Sequence, residues 1–389
     1  MRNKYQIFIP FFLLIGLPLS AFCQNLIIPP ATVLPKDSLV SSSLVSSLKG
    51  LLAGKEGPAS QNEFVLKELL LETSALLDEM KGMEQNTKLQ DQNFYKCYLG
   101  NVVGLSDKDF LIQLNYMGTN EGAPILKASF RLLTKRQGGR FYFYSPLKQN
   151  TSTWKTRLIN HTTYHFKDKL DLNDVKEYEK TEAIYDKKLN APVSSTQFYY
   201  CDDFPQALAL LGIDSKLDYN GMKNNNLTAS ENHQSLVLNG WTSNQYKFDP
   251  HDLWHDRLRT VLASDAINRP VDEGCAYLYG GSWGISWPVV LQSFKAYATA
   301  HPDADWKNLY ETSVNYTSGD KPLKVPYAIN ALIVRAIEKE KGFAPVMILL
   351  SCGKREKGDA NYFAALKKVT GVTSAEFNSY VWELIGHKD

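Results

Sequence analysis

Four residues in the second half of the chain combine types and spacings suited to metal chemistry. His251 and His255 stand four apart in FDPHDLWHDRLRTVL. On a helix that spacing stacks two imidazoles on one face, one turn apart, where they can hold a single zinc ion between them. Asp252 directly follows the first histidine. Glu273 comes later, with 17 residues between it and His255. That is room for one helix to end, a loop to turn and a second helix to cross beside the first. Two histidines and one carboxylate leave a fourth coordination position open for water. This is the pattern of a catalytic zinc site, whereas structural sites are usually closed by four protein ligands.

Each feature also has a plain structural reading. The chain holds seven histidines, so one pair at this spacing is a weak signal by itself. A glutamate in the first turn of a helix is favoured by the helix dipole without any metal, and Asp272 fits that reading. The conjunction of the pair, the adjacent acid and the Asp-Glu-Gly helix start is what points to a metal.

Two helices must position these groups. Asp249 is a good N-cap and Pro250 suits the first helical position, so a helix is expected from there through Leu262. Leu253, Trp254, Leu258, Val261 and Leu262 can pack it into a core. Pro270 opens a second helix after Asn268, with Glu273 in its first turn. Gly274 removes side-chain bulk where the two helices would meet.

H-x-x-x-H followed after a short loop by Glu-Gly-x-Ala (Glu273 to Ala276) resembles the gluzincins, the metallopeptidase group of thermolysin-like enzymes and zinc aminopeptidases. Within it, the chain looks most like the peptidase MA-like family. Residues 326–351 look like the helix leading to a glycine that follows the active site in that family. ANYFAALKKVTGVTSAEFNSYVWELI looks like its closing pair of helices. The likeness covers roughly 195–385 and does not reach the N-terminal region.

The resemblance implies that His251, His255 and Glu273 are the ligands of Zn2+. Together with the signal segment at residues 1–23, it implies a secreted, zinc-dependent metallopeptidase that hydrolyses peptide bonds of a peptide or protein substrate through zinc-activated water. The general-base position falls on Asp252, where the family commonly has glutamate. Aspartate has the same chemistry, but its carboxylate sits one methylene nearer the backbone, and misplacement on the order of 1 Å can cost about a hundredfold in rate. Tyr327 is the implied oxyanion stabiliser, with Tyr277 as second choice. The alternative class is a catalytically inactive, peptidase-like binding or structural module of the cell envelope. A cysteine nucleophile at Cys275 lacks a nearby activating base. The glycine-rich GGSWG turn lacks the strand before it and the GK[ST] after it that phosphate binding needs.

The rest of the chain reads as an α+β fold. Residues 1–23 carry a basic start and a short apolar run and read as a signal peptide with cleavage near Cys23-Gln24, a lipid anchor being disfavoured by the bulky Phe22. Residues 24–150 read as an α+β domain of unknown role. It begins with a leader (24–58), continues with one helix over 61–84, and then forms an antiparallel sheet from FYKCYLGNVV, FLIQLNYM, ILKASFRLL and RFYFYSPL. Residues 151–389 read as the mostly helical gluzincin-like domain with a small sheet. It has a helix near 171–190, strands at 196–201 and 235–241, and a helix opening on Asp203.

Composition narrows the partners. Hydrophobic residues make up 44% and aromatics 12% of the 389 residues, which fits a packed protein. The signal segment carries two basic residues and no acidic ones, so its removal from 43 basic and 41 acidic residues leaves a formally neutral chain. Neutrality gives no support for nucleic-acid or anionic-membrane binding. No later stretch approaches transmembrane length. Cys97, Cys201, Cys275 and Cys352 are scattered; one or two disulfides are compatible with an oxidising compartment.

Overall fold

A computed structural model describes residues 26–106, 109–241, 247–319 and 321–386. The expected signal peptide lies outside the described residues. The observed class is α+β, as the sequence implies.

Helix α1 (Ser38–Ala53) opens on Asp37, whose carboxylate accepts the N–H groups of Leu39 and Val40. It buries Leu44, Leu48, Leu51 and Leu52, so much of the stretch read as a leader is core. The single helix expected over 61–84 is shorter. Two 3-10 turns precede α2 (Leu70–Met80). Val65 instead bridges Phe143 as extended backbone, a tertiary pairing that outweighs helical periodicity.

The aromatic runs form the expected antiparallel sheet in chain order: β1 (Lys96–Gly104), β2 (Phe110–Asn120), β3 (Ala123–Gln137) and β4 (Arg140–Tyr144). Along β2 buried and half-buried residues alternate, the period of a strand with one face on a core. The short α3 (Leu147–Asn150) follows.

A second sheet is built from β5 (Lys155–Ile159), β6 (Thr162–Phe166), β7 (Ser195–Tyr200), β9 (Asn226–Glu231) and β10 (Gln234–Asn239), in the order β5-β6-β7-β10-β9. β7 lies parallel to both β6 and β10. α4 (Leu172–Leu189) crosses between β6 and β7. α5 (Phe204–Leu211) opens on Asp203, as expected. β8 (Ile213–Lys216) leaves this sheet and pairs with β3 of the first. Packing therefore crosses residue 150, and Tyr199, Phe204, Leu236 and Leu238 share one core with α1, α2 and the first sheet. The β5–β6 hairpin was not legible in the sequence, because β5 is exposed along almost its whole length and shows no alternation.

The C-terminal part is helical: α6 (Pro250–Arg259), α7 (Arg269–Gly280), α8 (Trp287–Ala300), α9 (Trp306–Glu311), α10 (Val325–Lys341), α11 (Ala344–Leu350), α12 (Ala360–Thr370) and α13 (Phe377–Gly386). α10 is the central member, with Ile329, Ala331, Ile333 and Val334 wholly buried. It crosses α7 at Gly274, where a Cβ would stand 2.5 Å from Asn330 Cβ. Cys97, Cys201, Cys275 and Cys352 are all free thiols. Among the described residues no helix is long and apolar enough to cross a membrane.

Candidate metal centre

α6 begins as its sequence requires. The Asp249 carboxylate accepts the His251 N–H at 3.0 Å, with Pro250 at the first helical position. The helix stops at Arg259, short of the expected Leu262. The next turn tightens into i to i−3 bonds, Thr260 to Arg257 and Val261 to Leu258. Leu253, Trp254 and Leu258 are buried. Arg257 is buried too, and donates to Asp186 at 2.5 Å and to Ser194 at 3.2 Å. These contacts set the rotation of α6 and turn His251 and His255 toward α7.

Both imidazoles are pinned by their Nδ1 atoms. His251 Nδ1 lies 2.7 Å from the Gly281 carbonyl oxygen. His255 Nδ1 lies 2.8 Å from Asp272 Oδ1, which also accepts the Trp254 indole N–H at 3.1 Å. A carbonyl and a carboxylate only accept, so each Nδ1 carries the proton and, in the neutral rings, each Nε2 carries a lone pair. The two Nε2 atoms face one another 3.1 Å apart. Glu273 Oε2 lies 3.5 Å from His251 Nε2, and the three ligand atoms all fall within 4.8 Å of one another.

This donor set fits a metal ion. Facing lone pairs repel unless a proton or a metal cation stands between them. Two nitrogens at 2.0–2.1 Å from a tetrahedral ion are separated by about 3.3 Å, close to the spacing here. The His251, His255 and Glu273 cluster can therefore hold a metal, as the sequence implied. Glu273 differs from expectation in one detail: it lies one residue beyond the first turn of α7, where Asp272 is the acidic residue.

The charged groups of the cluster shift one another strongly. Burial disfavours the His251 imidazolium, but the hydrogen bond and charge of Glu273, with Asp252 and the Gly281 carbonyl, outweigh it and raise its pKa to about 9. Burial pushes Glu273 upward, yet His251, His255 and Arg269 together hold it down to about 2. Asp252 is raised to about 7 by burial and by the neighbouring Asp249 carboxylate, against the lowering effect of the two histidines.

Asp252 and His255 line one small cavity of about 160 Å³, with Asn225, Asn226 and Asp256 on its other walls. Tyr327 is the third residue of α10. Its ring packs edge-on against Tyr277 at 5.6 Å, and Tyr277 in turn lies 6.0 Å from the His251 ring. The Tyr277 hydroxyl accepts the Lys324 N–H at 3.4 Å, which ties it to the start of α10.

Sequence reasoning missed Asp272, read only as a first-turn acid, and the Gly281 carbonyl, a backbone group inside the GGSWG turn. The Gly281 backbone sits at φ +77°, and Gly280 packs where a Cβ would stand 2.3 Å from the His251 nitrogen. Glycines at the junction were the available signal. No protein-family model matches this chain, and no curated protein matches it in sequence. The site's geometry carries the functional argument alone.

Proposed function

We propose that this chain is a secreted zinc-dependent metallopeptidase of gluzincin type. One observation carries the reading: two imidazole Nε2 atoms converge at 3.1 Å beside the Glu273 carboxylate, while the Asp252 carboxylate lines the adjoining cavity. When bound, zinc would supply Lewis acidity toward a peptide carbonyl and bring the pKa of water near neutrality.

The chain's own residues would do the rest. His251, His255 and Glu273 hold the ion, and Asp272 and the Gly281 carbonyl fix the ring orientations. Asp252 accepts a proton at its carboxylate and delivers it to the leaving amine. Tyr327 is the donor assigned to the developing oxyanion. The apolar run within residues 1–23 supports export.

Zinc content and peptide-library hydrolysis test this on the purified protein. The native chain should hold about one zinc, His255→Ala should lose it, and Asp252→Ala should keep zinc but lose hydrolysis. A native chain that stays metal-free at saturating zinc sinks the proposal. The shorter aspartate side chain favours a second reading, a zinc-holding module without catalysis. Metal-loaded native, Asp252→Ala and Asp252→Glu proteins that all leave the library intact select it.

A further inference from the structure

Glu273 presents its two oxygens to different partners. Oε2 lies 3.5 Å from His251 Nε2, while Oε1 lies 3.4 Å from Arg269 Nε. Arg269 is one turn earlier on α7. Its side chain is 76% exposed and that of Glu273 only 14%, so the guanidinium reaches inward from the rim of the site. The same guanidinium neighbours the Tyr327 hydroxyl.

A carboxylate can ligate one ion through one oxygen or through both. With both oxygens used, two histidines and Glu273 would fill four positions, and the open position of a catalytic site would be lost. A donor bound to Oε1 opposes that outcome. We propose that Arg269 is a positioning residue: it engages Glu273 Oε1, keeps Glu273 a one-oxygen ligand through Oε2, and holds the fourth position open beside Tyr327.

The proposal rests on the His251, His255 and Glu273 metal reading. It does not depend on peptide hydrolysis. An ion pair with one exposed partner contributes little to global stability, so the effect belongs to the metal and not to the fold. Lysine restores the charge but lacks the planar fork that spans two oxygen partners.

The test uses the full-length protein, with zinc affinity measured by chelator competition and thermal unfolding measured in parallel. Arg269→Met should bind zinc at least as tightly as the native protein, because the freed Oε1 adds a ligand atom and a neighbouring positive charge is removed. Its unfolding temperature should stay close to that of the native protein. Arg269→Lys should fall between the two. The cobalt-loaded Arg269→Met protein should also need more azide than the native protein to shift its visible spectrum, because Glu273 then competes for the open position. A cobalt-loaded Arg269→Met protein that needs no more azide than the native protein, or a variant that binds zinc more weakly than native, overturns the proposal. Absence of zinc binding in the native chain is a separate result, which removes the metal centre itself.

Discussion

His251 and His255 meet Nε2 to Nε2 at 3.1 Å, each held from behind by an acceptor on its Nδ1, the Gly281 carbonyl and the Asp272 carboxylate. If His251 turned away the Gly281 carbonyl would lose this partner, and if His255 turned away Asp272 Oδ1 would keep only the Trp254 indole N–H. The pair is thus preorganised for a cation, and the residues behind it set its properties as much as the ligands do.

Asp272 is the first consequence. Asp272→Ala removes the acceptor that orients His255 and leaves the Trp254 indole N–H unpaired in the core. Zinc affinity should fall by about 10–100-fold. Stability should fall by about 1–3 kcal/mol, the cost of an orphaned buried donor. Chelator competition and denaturant unfolding measure the two effects, and unchanged zinc affinity would show that Asp272 does not orient His255.

Protons and metal should compete for the same atoms. His251 is raised to about 9, chiefly by Glu273 acting against the effect of burial, so at pH 7 the metal-free ring is protonated. Zinc binding should release about one proton per chain. Calorimetric zinc titrations in two buffers of different ionisation enthalpy should then give different apparent enthalpies. Identical enthalpies would contradict the coupling.

Gly274 tests the helix crossing that places Glu273. Gly274→Ala gains about 1 kcal/mol of helix propensity. Its Cβ, however, would meet Asn330 Cβ at 2.5 Å and the Ala331 backbone nitrogen at 2.9 Å. Backbone cannot yield as a flexible side chain can, and overpacking of this kind costs about 1–3 kcal/mol. Net destabilisation with weaker zinc binding is expected by unfolding and by metal titration; a stabilised variant would refute this packing.

A buried acid away from the metal gives a pH signature. Glu182 lines a cavity of about 400 Å³ between the second sheet and α6. Burial raises its pKa from 4.5 to about 7, with Arg257 acting in the opposite direction. The folded chain then binds more protons at this site than the unfolded chain between those values. The site's contribution is therefore fully present below pH 4.5 and is lost as pH rises to about 7. Glu182→Gln should flatten this part of the stability profile, measured by denaturant unfolding from pH 4 to 8. A profile identical to that of the native chain would exclude Glu182 as its source.

The local signals of the helices that carry His251, His255 and Glu273 were legible because they are local. An N-cap aspartate, a proline at the first helical position and a four-residue histidine spacing are fixed by covalent geometry and backbone hydrogen bonding. Asp249, Pro250, His251 and His255 behave accordingly, and so does the Asp203 start of α5. The aromatic runs of the first sheet were equally plain, since alternation over many residues has one regular solution.

What the sequence left open depended on partners distant in the chain. β8 joins β3 across more than seventy positions, and nothing local marks that choice. The start of α7 offers two adjacent acids, Asp272 and Glu273, and propensity treats them alike. Only the packing of α7 on α6 and α10 decides that Asp272 faces His255 from behind while Glu273 faces the site with one oxygen on Arg269. The amino-acid sequence determined which side chains could hold a metal. The tertiary structure decided which atoms of those side chains converge, because ring orientation and carboxylate direction are set by hydrogen bonds to groups that folding brings near.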